Sequence, residues 1–192
     1  IFDYTQKGQS FMPEQISNKN VVFDYQKLEW VNGKHMRMLS LDELMKYFKD
    51  WQEFTGTKFE IPDKVIEISR EKVNTLKQLY EFTLPFVDDN YEYSNDYIEK
   101  FLKKPEAIHI LELGMKKFSD LNDYTIENVE KVLREIATEL NLGTNKVFQT
   151  IRGAVLGRLV TPGLFESIAV LGKEKTLSRI RRTIGMISTI GG

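Results

Sequence analysis

At 192 residues, with 41% hydrophobic and 29% charged side chains, the chain has the make-up of a globular protein able to bury a sizeable core. It contains no cysteine, which excludes a disulfide framework, a thiolate metal site and a cysteine nucleophile, and fits a reducing, cytoplasmic compartment. The net charge of −1 is a cancellation: from Lys146 onward eight basic residues face two acidic ones, and before it nineteen face twenty-six, an asymmetry that hints at a polyanion-binding surface.

No apolar run approaches the roughly 18–20 residues that span a bilayer, so no membrane partner is expected. The opening "IFDYTQKGQSF" lacks the basic start and apolar stretch of a signal peptide. With no initiator Met, the chain is expected to be part of a longer one. Its first forty residues are the least periodic; Gly33 is expected to interrupt any long helix, and the segment before Ser40 to pack poorly. Trp30, near Leu28 and Phe23, reads as core rather than as a stacking platform.

Helical spacing dominates thereafter. Ser40 and Glu43 have the spacing of a capping box and Leu39 and Leu44 that of a hydrophobic staple, ahead of Leu41, Leu44, Met45 and Phe48 on one face. A helix after Pro62 is expected to run through Val65, Ile66, Val73, Leu76, Leu79 and Tyr80 and to end before Pro85. The polar stretch 87–96 reads as a loop and subdomain boundary. Helices then follow from Asp96 to Lys103, from Pro105 to about Phe118, and after Thr125 with Val129, Val132, Leu133, Ile136 and Leu140 on one face. Leu142-Gly143 is expected to stop that helix and Thr144 to cap the next, Asn145 to Leu156. In it Val147, Phe148, Ile151 and Val155 point inward, leaving Arg152, and Arg158 just beyond, for solvent or a ligand.

The end of the chain reads "TPGLFESIAVLGKEKTLSRIRR" (161–182). Thr161 is placed as an N-cap with Pro162 in the first helical position, followed by Leu164, Phe165, Ile168 and Leu171 until Gly172. A last helix carries Leu177, Ile180, Ile184 and Ile187 on one stripe, with Lys173, Lys175, Arg179, Arg181 and Arg182 mostly elsewhere. An exposed helix start at 161–163 beside basic residues suits phosphates or base edges. Ordinary capping beside a solvated basic face explains the same residues, and physics alone leaves both readings open. His35 and His109 stand apart from any second ligand, so no metal site is expected. Asp88 and Asp89 lie in a turn-rich loop with no implied cleft, a poor setting for acid–base work.

The stretch "FDYQKLEWVNGKHMR" (23–37) resembles the Phe-Asp-x-x-Lys-Leu-x-Trp-x-Asn-Gly signature of bacterial glutamyl-tRNA synthetases, where it lies in the stem-contact region after the catalytic domain. "NTLKQL" (74–79) is similar to their first anticodon-binding helices, and "IRGAVLGRLVTPGLFESIAVLGKEKTLSRIRR" (151–182) to the end of the same enzymes. The resemblance implies an all-α helical bundle: a short irregular stem-contact remnant (1–39) and two helical anticodon-binding subdomains (40–86 and 87–192). These enzymes esterify glutamate to tRNA-Glu with ATP. Their His-x-Gly-His and Lys-Met-Ser-Lys-like motifs do not occur here, so the resemblance implies a fragment that binds tRNA-Glu without catalytic residues or a cofactor of its own. ATP and magnesium then belong to the catalytic domain of a cytoplasmic, monomeric parent.

Carried onto this chain, the family's anticodon contacts fall on Arg152, Thr161, Pro162, Leu164 and Phe165. Arg152 offers donors and a plane, Thr161 a hydroxyl, and Leu164 and Phe165 apolar walls, although Phe165 reads equally well as core. The position that bears on the third anticodon base is Lys72, where some members have Arg. A lysine lacks the planar fork, which leaves strictness for glutamate over glutamine tRNA open, with Arg70 as a neighbour that could compensate. Arg70, Arg158, Lys173, Lys175, Arg179 and Arg182, with Arg181 beside them, are the expected phosphate contacts. The competing class is a helical scaffold whose acidic and basic halves serve assembly.

Overall fold

The computed structural model describes residues 22–57 and 59–190, with side chains described to 187. The reading of residues 1–21 as stem-contact remnant lies outside the described residues. Among the described residues the chain is all helix and connection, without a strand. Helix α1, Tyr25–Met38, starts at Asp24, whose carboxylate accepts from the Lys27 N–H at 3.0 Å. It runs straight through Gly33, contrary to expectation. Gly33 is buried where α1 lies against Asn74, and a Cβ there would overlap the Asn74 and Arg37 side chains. Trp30 is 53% exposed, with the Lys34 ammonium over its ring, and so is surface rather than core. Phe23, Tyr25 and Leu28 are exposed as well.

Helix α2, Leu41–Thr55, has the expected reciprocal cap. The Ser40 hydroxyl accepts from the Glu43 N–H at 3.2 Å, and the Glu43 carboxylate accepts from the Ser40 N–H at 2.9 Å. Leu44 and Phe48 are buried. Beyond Pro62 the expected single helix is two. Helix α3, Asp63–Ser69, tightens into a 3₁₀ turn at Arg70–Lys72, Val73 is extended, and α4, Leu76–Val87, begins anew with the Thr75 hydroxyl capping Gln78. Helix α4 also passes through Pro85 instead of ending before it. Proline has no N–H for the carbonyl four residues back. That carbonyl, on Glu81, accepts from the Arg158 guanidinium at 3.3 Å.

Residues 88–94 are strapped down rather than slack. The Tyr91 hydroxyl donates to the Ala154 carbonyl at 2.9 Å, the Ser94 N–H to the Gly157 carbonyl at 2.7 Å, and Tyr93 meets the Thr183 hydroxyl at 2.8 Å. Helix α5, Asn95–Tyr97, passes into a wider π turn, Ile98–Leu102. Then come α6, Glu106–Asp120, and α7, Ile126–Glu139, capped by Thr125. Asn141, at φ 52°, is the left-handed residue that ends α7, so Gly143 moves on to flank α8, Thr144–Leu156, and Thr144 is its first residue rather than its cap.

Helix α9, Leu164–Ile190, is broken at Gly172, where φ is 73° and ψ −179°, as its position suggested. It packs on α3, α6, α7 and α8. Beyond the break, its fully buried stripe is Thr176, Arg179, Ile180 and Thr183, while Leu177, Ile184 and Ile187 are only half-buried. The buried stripe is therefore rotated away from the purely apolar one. Threonine is tolerated there because its hydroxyl can turn back to its own helix, as Thr183 does to the Arg179 carbonyl at 2.9 Å. A single hydrophobic cluster includes Met36 and Phe48 from the early helices and Ile110, Ile151 and Ile180 from the later ones.

Candidate nucleic-acid interface

The corner between α8 and α9 is built around two glycines. Gly157 ends α8 in the left-handed region, and a Cβ there would strike Tyr91 and the Glu92 carbonyl. From Gly157 the chain turns outward and reaches α9 only at Gly163, whose carbonyl accepts the first helical bond, from the Ser167 N–H at 2.9 Å. Thr161 is therefore not the cap. It is 6% exposed, and its hydroxyl donates to the Pro162 carbonyl at 2.8 Å. The Glu166 carboxylate folds back over Gly163, putting a negative charge on the positive end of the helix where a bare N-terminus was expected.

Of the five residues expected to touch the anticodon, Arg152 and Phe165 are half-exposed, and Thr161, Pro162 and Leu164 are buried. Arg152 donates to the Leu159 carbonyl at 3.3 Å, which ties the middle of α8 to the corner, while its buried Nε has no partner. Burial pushes its guanidinium below the ordinary value, an effect that the Glu166 carboxylate opposes. Three residues back along α8, the Gln149 Oε1 is also buried and unpaired. Phe165 meets Phe148 edge-on, with ring centres 5.3 Å apart. It is packed and half-open at once.

The cations expected on RNA phosphates mostly hold carbonyl oxygens at or near helix ends, groups that no helical N–H reaches. Arg70 donates to the Leu39 carbonyl at 3.3 Å, Lys173 to Leu121 at 3.2 Å and Lys175 to Phe86 at 3.1 Å. Arg158 is half-buried on Glu81, and its desolvation lowers its pKa. Arg182 holds the Asp89 and Tyr91 carbonyls at 2.7 and 3.0 Å and lies over the rings of Tyr91 and Tyr93. Arg179 departs furthest from expectation. It is 3% exposed, bonded to the Val155 carbonyl at 2.7 Å and the Asp89 carboxylate at 2.6 Å, and covered by the Tyr91 ring 4.8 Å away. Walled in this way, it has no face left for a phosphate. Lys72, by contrast, is exposed, and its ammonium makes no hydrogen bond or ion pair among the described residues.

Residues 37–184 match the family described as an anticodon binding domain. The chain belongs to that family. This anticodon-binding domain is 96% identical over 192 residues to glutamate–tRNA ligase 2 of Fervidobacterium nodosum, covering all of the chain and 41% of the relative. It is 50% identical over 190 residues to glutamate–tRNA ligase 2 of Thermosipho melanesiensis, covering 96% of the chain and again 41% of the relative. The domain thus spans well under half the length of these curated relatives. Its fold is shared with a crystal structure of a glutamate tRNA ligase from Elizabethkingia meningosepticum in complex with its amino acid. That likeness has a TM-score of 0.73 at 22% identity and covers 86% of this chain and 33% of the other.

Two features of the domain's corner were not singled out in the sequence. Val160, between the two glycines, is an apolar side chain that is 72% exposed. The Glu166 carboxylate three residues past Gly163 could have been found, because a Glu at the third helical position is the acidic half of a capping box. Among the described residues no group of three His, Cys, Asp or Glu side chains could hold a metal ion, and no helix is long and apolar enough to cross a membrane.

Proposed function

We propose that this chain reads the anticodon loop of tRNA-Glu as part of a bacterial glutamate–tRNA ligase that attaches glutamate with ATP and works as a monomer in the cytoplasm. The observation that carries the reading is the family match across residues 37–184. Single-stranded bases are read by hydrogen bonds along their edges and by stacking on guanidinium planes or aromatic rings. Arg152, with an unpaired Nε and a half-open guanidinium, and Phe165 beside it are the side chains suited to that task. Thr161, Pro162 and Leu164 shape the corner from within and offer main-chain groups rather than side chains. Lys72 addresses the third base. As a point donor without a planar fork, its grip on that base depends on how firmly its root is held.

In this reading two helical subdomains meet near residue 87 and the loop lies between them. Lys173 and Arg182, exposed beyond the carbonyls they hold, are the better placed phosphate contacts, and Arg70, Arg158 and Lys175 the weaker ones. In this reading ATP and magnesium belong to the remainder of the ligase. The test is binding of this chain to anticodon hairpins of tRNA-Glu. Arg152→Ala is expected to weaken cognate binding about tenfold and to blunt discrimination among anticodon variants. If replacing all three anticodon bases leaves the affinity of the unsubstituted chain unchanged, the reading fails.

A further inference from the structure

We propose that Arg37 and Asn74 are positioning residues for anticodon reading: helix α1 grips the turn that carries Lys72 and fixes where its ammonium group can reach. The proposal rests on the reading of Lys72 given above. Three side-chain contacts and one steric fit carry it.

The segment between α3 and α4 has little hydrogen bonding of its own. After the 3₁₀ turn at Arg70–Lys72 the backbone is extended at Val73, so the carbonyls of Val73 and Asn74 have no helical partner. Helix α1, more than thirty residues earlier, supplies the donors. The Arg37 guanidinium uses one nitrogen on the Val73 carbonyl at 2.9 Å and another on the Asn74 side-chain oxygen at 3.3 Å, while the Asn32 amide donates to the Asn74 carbonyl. Asn74 completes its set by donating its N–H to the Gln78 side chain at 2.8 Å. On the other side of Lys72, Arg70 returns the contact by holding the Leu39 carbonyl just past the end of α1. Gly33 lets the two backbones come this close, since any side chain would displace Asn74 and Arg37.

Lys72 is thus the exposed apex between two anchored points, Arg70 and Val73–Asn74. The arrangement matters because of what a lysine is. Its charge sits on a flexible stem with no preferred direction, so selectivity for one base edge depends on how firmly its root is held. A planar guanidinium that bridges two acceptors fixes both position and orientation in a way a single contact does not. Cap formation alone does not require the clamp, because Thr75 already caps α4.

The experiment measures binding of this chain to anticodon hairpins that differ only at the third or only at the middle base. Arg37→Met and Asn74→Ala are compared with Lys72→Ala, and Asn74→Asp serves as the conservative variant that keeps an acceptor for Arg37. The expected result is that Lys72→Ala, Arg37→Met and Asn74→Ala each reduce third-base preference about fivefold or more, with middle-base preference within about twofold of the unsubstituted chain. Asn74→Asp retains the preference. If Lys72→Ala removes the preference while Arg37→Met and Asn74→Ala keep it, the positioning role is overturned and the reading of Lys72 survives. If Lys72→Ala itself changes nothing, both fall together. Equal loss at both bases reduces the clamp to a structural tie and overturns the proposal. Circular dichroism checks each variant, and should Arg37→Met lose helicity, the Asn74 pair decides alone.

Discussion

Arg179 and Arg181 share nearly the same sequence surroundings, yet one is enclosed and the other exposed. The Asp89 carboxylate that meets Arg179 is held below its ordinary value of 3.8, chiefly by the hydrogen bond from that guanidinium. A carboxyl depressed on folding adds stability above its unfolded pKa and loses it as pH falls through the lower folded one. Urea midpoints are therefore expected to drop as pH falls below about 4, and Asp89→Asn to flatten part of that decline. Asp89 is itself largely exposed, so solvent screening keeps this contribution small. Arg179→Met, which removes a buried hydrogen-bonded cation, is expected to cost about 2–4 kcal/mol in the same titration at neutral pH. None of this was legible from sequence. The partner lies ninety positions away, and neighbouring charges told equally for a solvated face. A clue did exist in the threonines at 176 and 183, which sit on the same helical stripe.

Among the elements, those with local caps could be read directly. Ser40 with Glu43, and Thr125 with the N–H of Asn128, are short-range hydrogen bonds that need no tertiary partner. The break at residues 70–75 was harder, since apolar spacing carried across it from Val65 to Leu79. Its signal was nevertheless present as Thr75 and Gln78, the spacing of a capping box in mid-pattern. The close approach of α5 to α8 depends on size rather than pattern. The Cβ of an alanine at 153 would lie 2.0 Å from the ring of Tyr97, which is fully buried and donates its hydroxyl to the Thr150 carbonyl at 3.0 Å. With no room to yield, Gly153→Ala is expected to destabilise the domain by about 1–3 kcal/mol, read from thermal melts. Melts unchanged by the substitution would show that Tyr97 can shift freely.

At the level of the whole domain, much of the positive charge from Lys146 onward is engaged within the fold. Several of those cations satisfy carbonyls inside the fold, so fewer remain to displace counterions. Six phosphate contacts on single-stranded RNA would give a log–log salt slope of about −4, and this chain is expected to show a slope nearer −2. Titration of hairpin binding between low and moderate salt distinguishes the two. Family membership was legible because long motifs stood in order at both ends of the chain. The burial of Thr161, Pro162 and Leu164 was not, since it depends on how α9 meets the corner.

One pairing joins distant parts of the chain through a missing N–H. Pro85 deprives a carbonyl of its donor, and Arg158 replaces that donor from 77 positions beyond it. The two sites therefore share one structural debt. A substitution at 85 that restores an N–H is expected to make the Arg158 contact dispensable to α4.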